Sequence, residues 1–177
     1  MKDLLSIVSH FQLQGTVQEI NPLGAGLIND TYKVSTLEAD APDYVLQRIN
    51  HAIFQNVEML QANINAVTTH IRKKLEEKGE KDIERKVLHF FPADTGKTYW
   101  HDGESYWRVM AFIPNARTYE TVNPEYSYYA GVAFGNFQAM LADIPDKLGE
   151  TIPFETASRC RGGRCCRTCK GSTVFSG

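Results

Sequence analysis

The chain has 177 residues, 42% hydrophobic and 23% charged. That composition excludes a disordered chain, and the length suits one domain or one and a fraction. A formal charge of −2 gives no electrostatic footprint for nucleic acid, and no apolar run nears the roughly 20 residues that cross a bilayer.

From the N-terminus, Met1 to His10 lacks a long apolar core and a small-residue cleavage site. A signal peptide is therefore not expected, and cytoplasmic residence is. Leu4, Leu5, Val8 and Phe11 share one helical face and predict a leading amphipathic helix. Thr16 to Ile20 alternates and is β-prone, and Thr31 to Val34 is again β-branched and aromatic. Between them lies the loop Leu23-Gly24-Ala25-Gly26-Leu27-Ile28-Asn29-Asp30. A dinucleotide-binding G-x-G-x-x-G needs a helix directly after the glycines, and a third glycine. Here a strand follows, and Asn29 stands where the third glycine belongs. A glycine loop that bends one strand back on its neighbour is how kinase folds cover ATP phosphates. A third strand, Tyr44 to Ile49, follows a turn at Ala41-Pro42-Asp43.

A long helix comes next. Ile53, Val57, Leu60, Ile64, Val67, Ile71 and Leu75 recur at threes and fours, while Gln55, Glu58, Gln61, Asn65, Arg72 and Lys73 form the opposite face. Gly79 is a natural stop, and Lys74 to Lys86 reads as the helix end and a solvated loop. Strands are predicted at Val87–Phe91, Thr98–Trp100 and Ser105–Ile113, the last ended by Pro114. From Pro124 to about Asp143 the pattern is helical. Tyr126, Tyr129, Ala133, Phe137 and Met140 line one stripe, with Val132 and Leu141 beside it, and Tyr126, Tyr128, Tyr129, Phe134 and Phe137 are expected to be core rather than a stacking surface for a cofactor. The five histidines show no ligand spacing, so none is expected to bind metal.

The last 23 residues differ in composition. Residues 155–177 carry five basic side chains and one acid, against 14 basic and 20 acidic in the rest. All four cysteines fall here, at Cys160, Cys165, Cys166 and Cys169. Three readings stand. Cys166-Arg167-Thr168-Cys169 is a C-x-x-C pair that can grip zinc, but Cys160 and Cys165 are misspaced as its partner. A basic tail for nucleic acid lacks interleaved aromatics. An unstructured segment, including out-of-frame translation of an interrupted gene, fits the absence of apolar periodicity best.

The loop Leu23 to Tyr32, the strand Tyr44-Val45-Leu46-Gln47-Arg48-Ile49-Asn50, the aromatic strand ending Phe112-Ile113-Pro114, and the stretch Gly131 to Gln138 resemble one family. It is the aminoglycoside phosphotransferase and choline kinase-like superfamily, and its N-acetylhexosamine 1-kinase-like branch in particular. The resemblance covers residues 1 to 154 and rests on order and spacing. It implies an α+β fold: a protein-kinase-like small lobe, with an antiparallel sheet and one long helix, over residues 1–113. A hinge and the first helix of a helical large lobe follow over 114–154, then the tail.

The function it implies is ATP-dependent phosphoryl transfer with Mg²⁺ to a hydroxyl of a small polar substrate such as a sugar or amino sugar. Gly24, Ala25 and Gly26 would let the loop backbone approach the phosphates, with Asn29 and Thr31 either touching ligand or closing the loop. Arg48 would hold the α/β-phosphates from the third strand and pair with Glu58 on the long helix. Met110, Phe112 and Ile113 would form the hinge against adenine. The catalytic loop H-x-D-x-x-x-x-N and the later metal-binding Asp are absent from the 177 residues, so neither catalytic residues nor metal ligands are assigned. The expectation is a chain cut short, inactive alone, with an exposed aromatic helix prone to self-association. A non-catalytic, pseudokinase-like nucleotide-binding fragment is the alternative. No C-x-P-x-R or G-x-S-x-G segment supports a sulfatase or hydrolase.

Overall fold

The computed structural model describes residues 3–24, 28–116, 121 and 123–150. The cysteine-bearing tail, with its three readings, lies outside the described residues, as do Ala25 and Gly26.

The fold is α+β, built on a six-stranded antiparallel sheet. Helix α1 (Leu4–Val8) opens the chain, capped by Asp3, whose carboxylate accepts the Leu5 amide. Strands β1 (Val17–Pro22), β2 (Asp30–Thr36) and β3 (Tyr44–Ile49) then run as two successive antiparallel pairs. β1 lies at the sheet edge, which is where Pro22 is tolerated in a strand. Helix α2 (Val57–Glu77) follows, with Asn56 as its N-cap accepting from the Met59 amide. It ends at Gly79, whose φ of +66° is the left-handed turn that glycine adopts freely. A single helical turn, α3 (Ile83–Lys86), interrupts the stretch expected to be loop.

Strands β4 (Phe90–Phe91), β5 (Trp100–His101) and β6 (Tyr106–Ala111) complete the sheet. The order is β1-β2-β3-β6-β4, and β5 also pairs with β6. β4 and β5 are shorter than the predicted runs because each pairs with only two residues of β6.

The register divides side chains between two faces. One face carries Val34, Tyr44, Leu46, Trp107 and Val109, all buried, and α1 closes it with Ile7 and Val8 beside Phe11. α2 meets the other face. Of its expected apolar stripe, Val57, Ile71 and Leu75 are buried; Ile53 falls before the helix and stays exposed. Gln61, expected on the solvent face, is 2% exposed.

Helix α4 (Pro124–Leu141) touches the rest at its C-terminal end. Met140 and Leu141 pack against the small core of Ile71, Leu75 and Val87. His70 Nε2 and Lys74 Nζ reach the Met140 carbonyl, at 3.0 and 2.8 Å. Tyr126, Tyr128, Tyr129, Phe134 and Phe137, expected to be core, are exposed instead, as is Val132 beside the stripe. Along the helix the rings meet one another, Tyr128 against Tyr129 at 5.8 Å between centroids and Phe134 against Phe137 at 6.4 Å. No helix among the described residues is long and apolar enough to cross a membrane.

Gly15 leads into β1 at a close backbone approach. Its φ is +82°, and a Cβ there would stand 2.6 Å from that of Ala41. Gly15→Ala is expected to lower unfolding free energy by about 1–3 kcal/mol. Denaturant titration at unchanged m-value checks this; equal stability would mean that the loop relaxes freely.

Candidate functional site

The glycine-bearing loop joins β1 to β2 as a hairpin. Its base is closed by the Leu23 amide, which donates to the Thr31 carbonyl at 2.8 Å. Gly24 has a φ of +71° and space beside it, so the backbone turns there without a side chain in the way. Asn29 Oδ1 accepts the Asn50 amide at 2.9 Å and ties the loop to the end of β3. The Thr31 hydroxyl accepts from Gln47 Nε2 at 3.1 Å. In the described structure both residues close the loop.

Arg48 does not reach the helix. It stands opposite Asp30 on β2 and Trp107 on β6. Its Nε donates to Asp30 Oδ2 at 2.6 Å, and Nη2 forms an ion pair with the same oxygen. Alternation along β3 puts Arg48 with Tyr44 and Leu46 on the face that α1 covers. A cavity of about 790 Å³ opens there, lined by Leu4, Ile20, Tyr32, Arg48 and Trp107. The expected Arg48–Glu58 ion pair is therefore not made. Glu58 is exposed in the first turn of α2 and accepts from Lys97 Nζ at 2.9 Å.

The residue of β3 that faces α2 is Gln47, and the cation on that face comes from β6. Arg108 stands opposite Gln47. Its Nε and Nη2 donate to Gln47 Oε1 at 2.9 and 2.6 Å. Its Nη1 donates to Gln61 Oε1 at 2.8 Å. Gln61 Nε2 in turn donates to the Thr98 carbonyl at 3.0 Å and to its hydroxyl at 3.2 Å, where Asn65 Nδ2 also donates. The polar chain runs from Thr31, just past the glycine loop, through Gln47, Arg108 and Gln61 into α2. The guanidinium lies over the Phe90 ring, 5.4 Å from its centroid. Among the described residues no carboxylate pairs with it, and burial pushes it down to about 10.

Sequence reasoning passed over Arg108 and Gln61. The available signals were a charged residue inside the apolar run Tyr106 to Ile113, and a glutamine one turn after Val57 on the inward face of α2.

At the expected hinge, Met110 lies within β6, opposite Val45 on one side and Phe90 on the other. The Ala111 amide donates to the His89 carbonyl at 2.9 Å, and the Phe112 amide to the Asp43 carbonyl at 3.1 Å. These amides are already engaged within the sheet. Ile113, half-buried, follows the last strand residue. Lys33 Nζ lies 4.8 Å from the Phe112 ring centroid and pairs with Asp43 at 2.8 Å. The hydrogen bond from Lys33 holds the Asp43 carboxyl below its ordinary value. Partial burial opposes this, and the Thr36 amide adds to it.

Among the described residues, no three His, Cys, Asp or Glu side chains gather where one metal ion could sit. No protein-family model matches the chain.

Two outcomes follow from this geometry. Gln61→Ala removes the acceptor from one edge of a half-buried guanidinium and the donor from the Thr98 carbonyl, and should cost about 1–3 kcal/mol. Arg48→Ala breaks a half-exposed pair and should cost less than about 1 kcal/mol. Chemical denaturation of both variants measures the contrast, and equal losses would contradict it. Asp43 has a depressed folded value, so its stabilisation is present above the ordinary aspartate value of 3.8 and lost as pH falls through the lower one. Melting curves of Asp43→Asn should therefore show a shallower decline below about pH 4 than the parent. Parallel declines would remove Asp43 from the acid response.

Proposed function

We propose that residues 1–113 form the nucleotide-binding lobe of an ATP-dependent phosphotransferase related to the aminoglycoside phosphotransferase and choline kinase-like superfamily. Residues 114–154 would be its hinge and the first part of a second lobe. The observation that carries the reading is the polar chain beginning at the base of the glycine hairpin and ending in the long helix. Kinase folds likewise join a glycine-rich hairpin, a third strand and a helix around one cation that meets phosphate. The hairpin loop, with Gly24 and Gly26 in its sequence, offers backbone amides to an anion without a Cβ to hold it off.

The described residues fit the nucleotide in one respect, a half-buried cation that meets no carboxylate among them and is joined through Gln47 to Thr31 at the end of the loop. They offer no donor set for Mg²⁺, so metal ligands would come from residues other than these. In the family the second lobe receives a small polar hydroxyl substrate, in this branch a sugar or amino sugar. The open aromatic side chains of α4 suit burial against further polypeptide, and a second copy of the chain would serve. Cytoplasmic residence remains part of the proposal.

A second reading, nucleotide binding without turnover, is favoured by one fact: no H-x-D-x-x-x-x-N segment occurs among the 177 residues. Without that base and its neighbouring metal ligands, the positioning and electrostatic parts of phosphoryl transfer are missing from this chain. Both readings require ATP binding. Mg-ATP at about 100 times its Kd should stabilise the fold by about 2.7 kcal/mol, read as a rise in melting temperature. A cooperative melt that ATP leaves unmoved up to millimolar concentration would remove both.

A further inference from the structure

We infer that Arg108, projecting from β6, is the residue that contacts the phosphates of the nucleotide, and that Gln47 and Gln61 are positioning residues for its guanidinium. This rests on the nucleotide-lobe reading and assigns the cation within it to a strand other than the expected one.

Four observations converge. First, adjacent residues of a strand point to opposite faces. Gln47 faces α2 and is neutral; Arg48 faces α1 and is paired with Asp30. The third strand therefore supplies no cation to the helix side at these positions, and Arg108 does. Second, the neighbouring cations are matched. Lys33, Arg48, Arg72 and Lys97 each meet a carboxylate. Arg108 is held by amide oxygens, which orient a guanidinium but carry no formal charge to neutralise it. Third, three of its five N–H groups are engaged with protein, one on each nitrogen. A phosphate oxygen can accept from those that remain, and the guanidinium fork matches phosphate geometry. Fourth, the site is partly desolvated, where an opposite charge is felt more strongly than in water. The ligand chemistry is a polyphosphate anion, and Gln47 on β3 links the arginine to Thr31 on the strand that leaves the glycine loop.

The deciding experiment titrates the parent, Arg108→Met and Arg48→Met with Mg-ATP and with adenosine, after circular dichroism has shown each variant folded. Arg108→Met should bind ATP at least about tenfold more weakly and lose most of the parent's preference for ATP over adenosine. Arg48→Met should bind ATP within about twofold of the parent. Unchanged ATP affinity in folded Arg108→Met overturns the assignment. So does an equal loss for ATP and adenosine, which would mark a structural role.

A second measurement needs no destabilising change. The Arg108 Nε–Hε resonance, identified by its disappearance in Arg108→Lys, should move on adding Mg-ATP and stay in place with adenosine. A resonance that stays in place while backbone amides respond to ATP overturns the assignment and leaves the nucleotide lobe standing. Absence of any ATP response in the parent overturns the nucleotide lobe itself.

Discussion

A half-buried guanidinium with no carboxylate partner among the described residues sets the terms for the contact between sheet and helix. Transferring a guanidinium from water into a protein seam is costly, and an opposite charge is the usual remedy. Here the remedy is two glutamine carbonyls and the face of Phe90. Hydrogen bonds to a charged group are each worth about 1.5–3 kcal/mol, so a few can offset partial desolvation while leaving the charge in place. The arrangement works only if both amides are oriented correctly. Thr31 fixes Gln47 from one side, and Thr98 fixes Gln61 from the other. The base of the glycine loop, the middle of the sheet and the second turn of α2 thus depend on one another through five side chains.

The two faces of β3 divide the work. Tyr44 and Leu46 are fully buried in the core that α1 completes, and this is where hydrophobic burial holds the fold together. The opposite face trades some of that burial for polar contacts. β6 repeats the division: Trp107 and Val109 lie in the α1-side core, while Arg108 between them points to α2. Buried polar networks specify a unique arrangement when every member is satisfied, and none of the buried side-chain polar atoms described here lacks a partner. These polar contacts help to hold the register, because a slip of one residue would drive Arg108 and Gln47 into the α1 core.

Much of this architecture was legible in the sequence. The hairpin, the third strand, the long helix, β6 and α4 follow from periodicity, turn residues and Pro or Gly boundaries, and each ends within a few residues of where it was expected. Direction was harder. Gln47-Arg48 contains one residue for each face, and the pair alone does not tell which of them faces α2. The deciding information is the register with β2 and β6, which couples residues 18 and 61 positions away from Arg48 and Gln47 and leaves no local mark. Gln61 failed for a related reason. Helical periodicity sorts apolar from polar residues, and it assigns a glutamine to solvent unless the facing strand is known to carry an arginine. The exposure of α4 has another origin. Its apolar residues occupy several faces, and sequence shows that they are apolar without showing what meets them.

The chemistry of amide support has a consequence that an ion pair would not have. In a strand–helix ion pair, the carboxylate both orients the cation and neutralises much of its field at the site. Glutamine oxygens orient without neutralising, so the local potential stays positive and the guanidinium keeps its attraction for an incoming anion. The desolvated guanidinium bears a cost that amide oxygens offset only in part. That asymmetry favours the occupied state, because a ligand supplying negative charge relieves an existing penalty while forming its own hydrogen bonds. A helix held to its sheet by such a contact is tightened by the ligand as well as being adjacent to it. Were an anion to bind at Arg108, its binding and the docking of α2 would be coupled through that guanidinium.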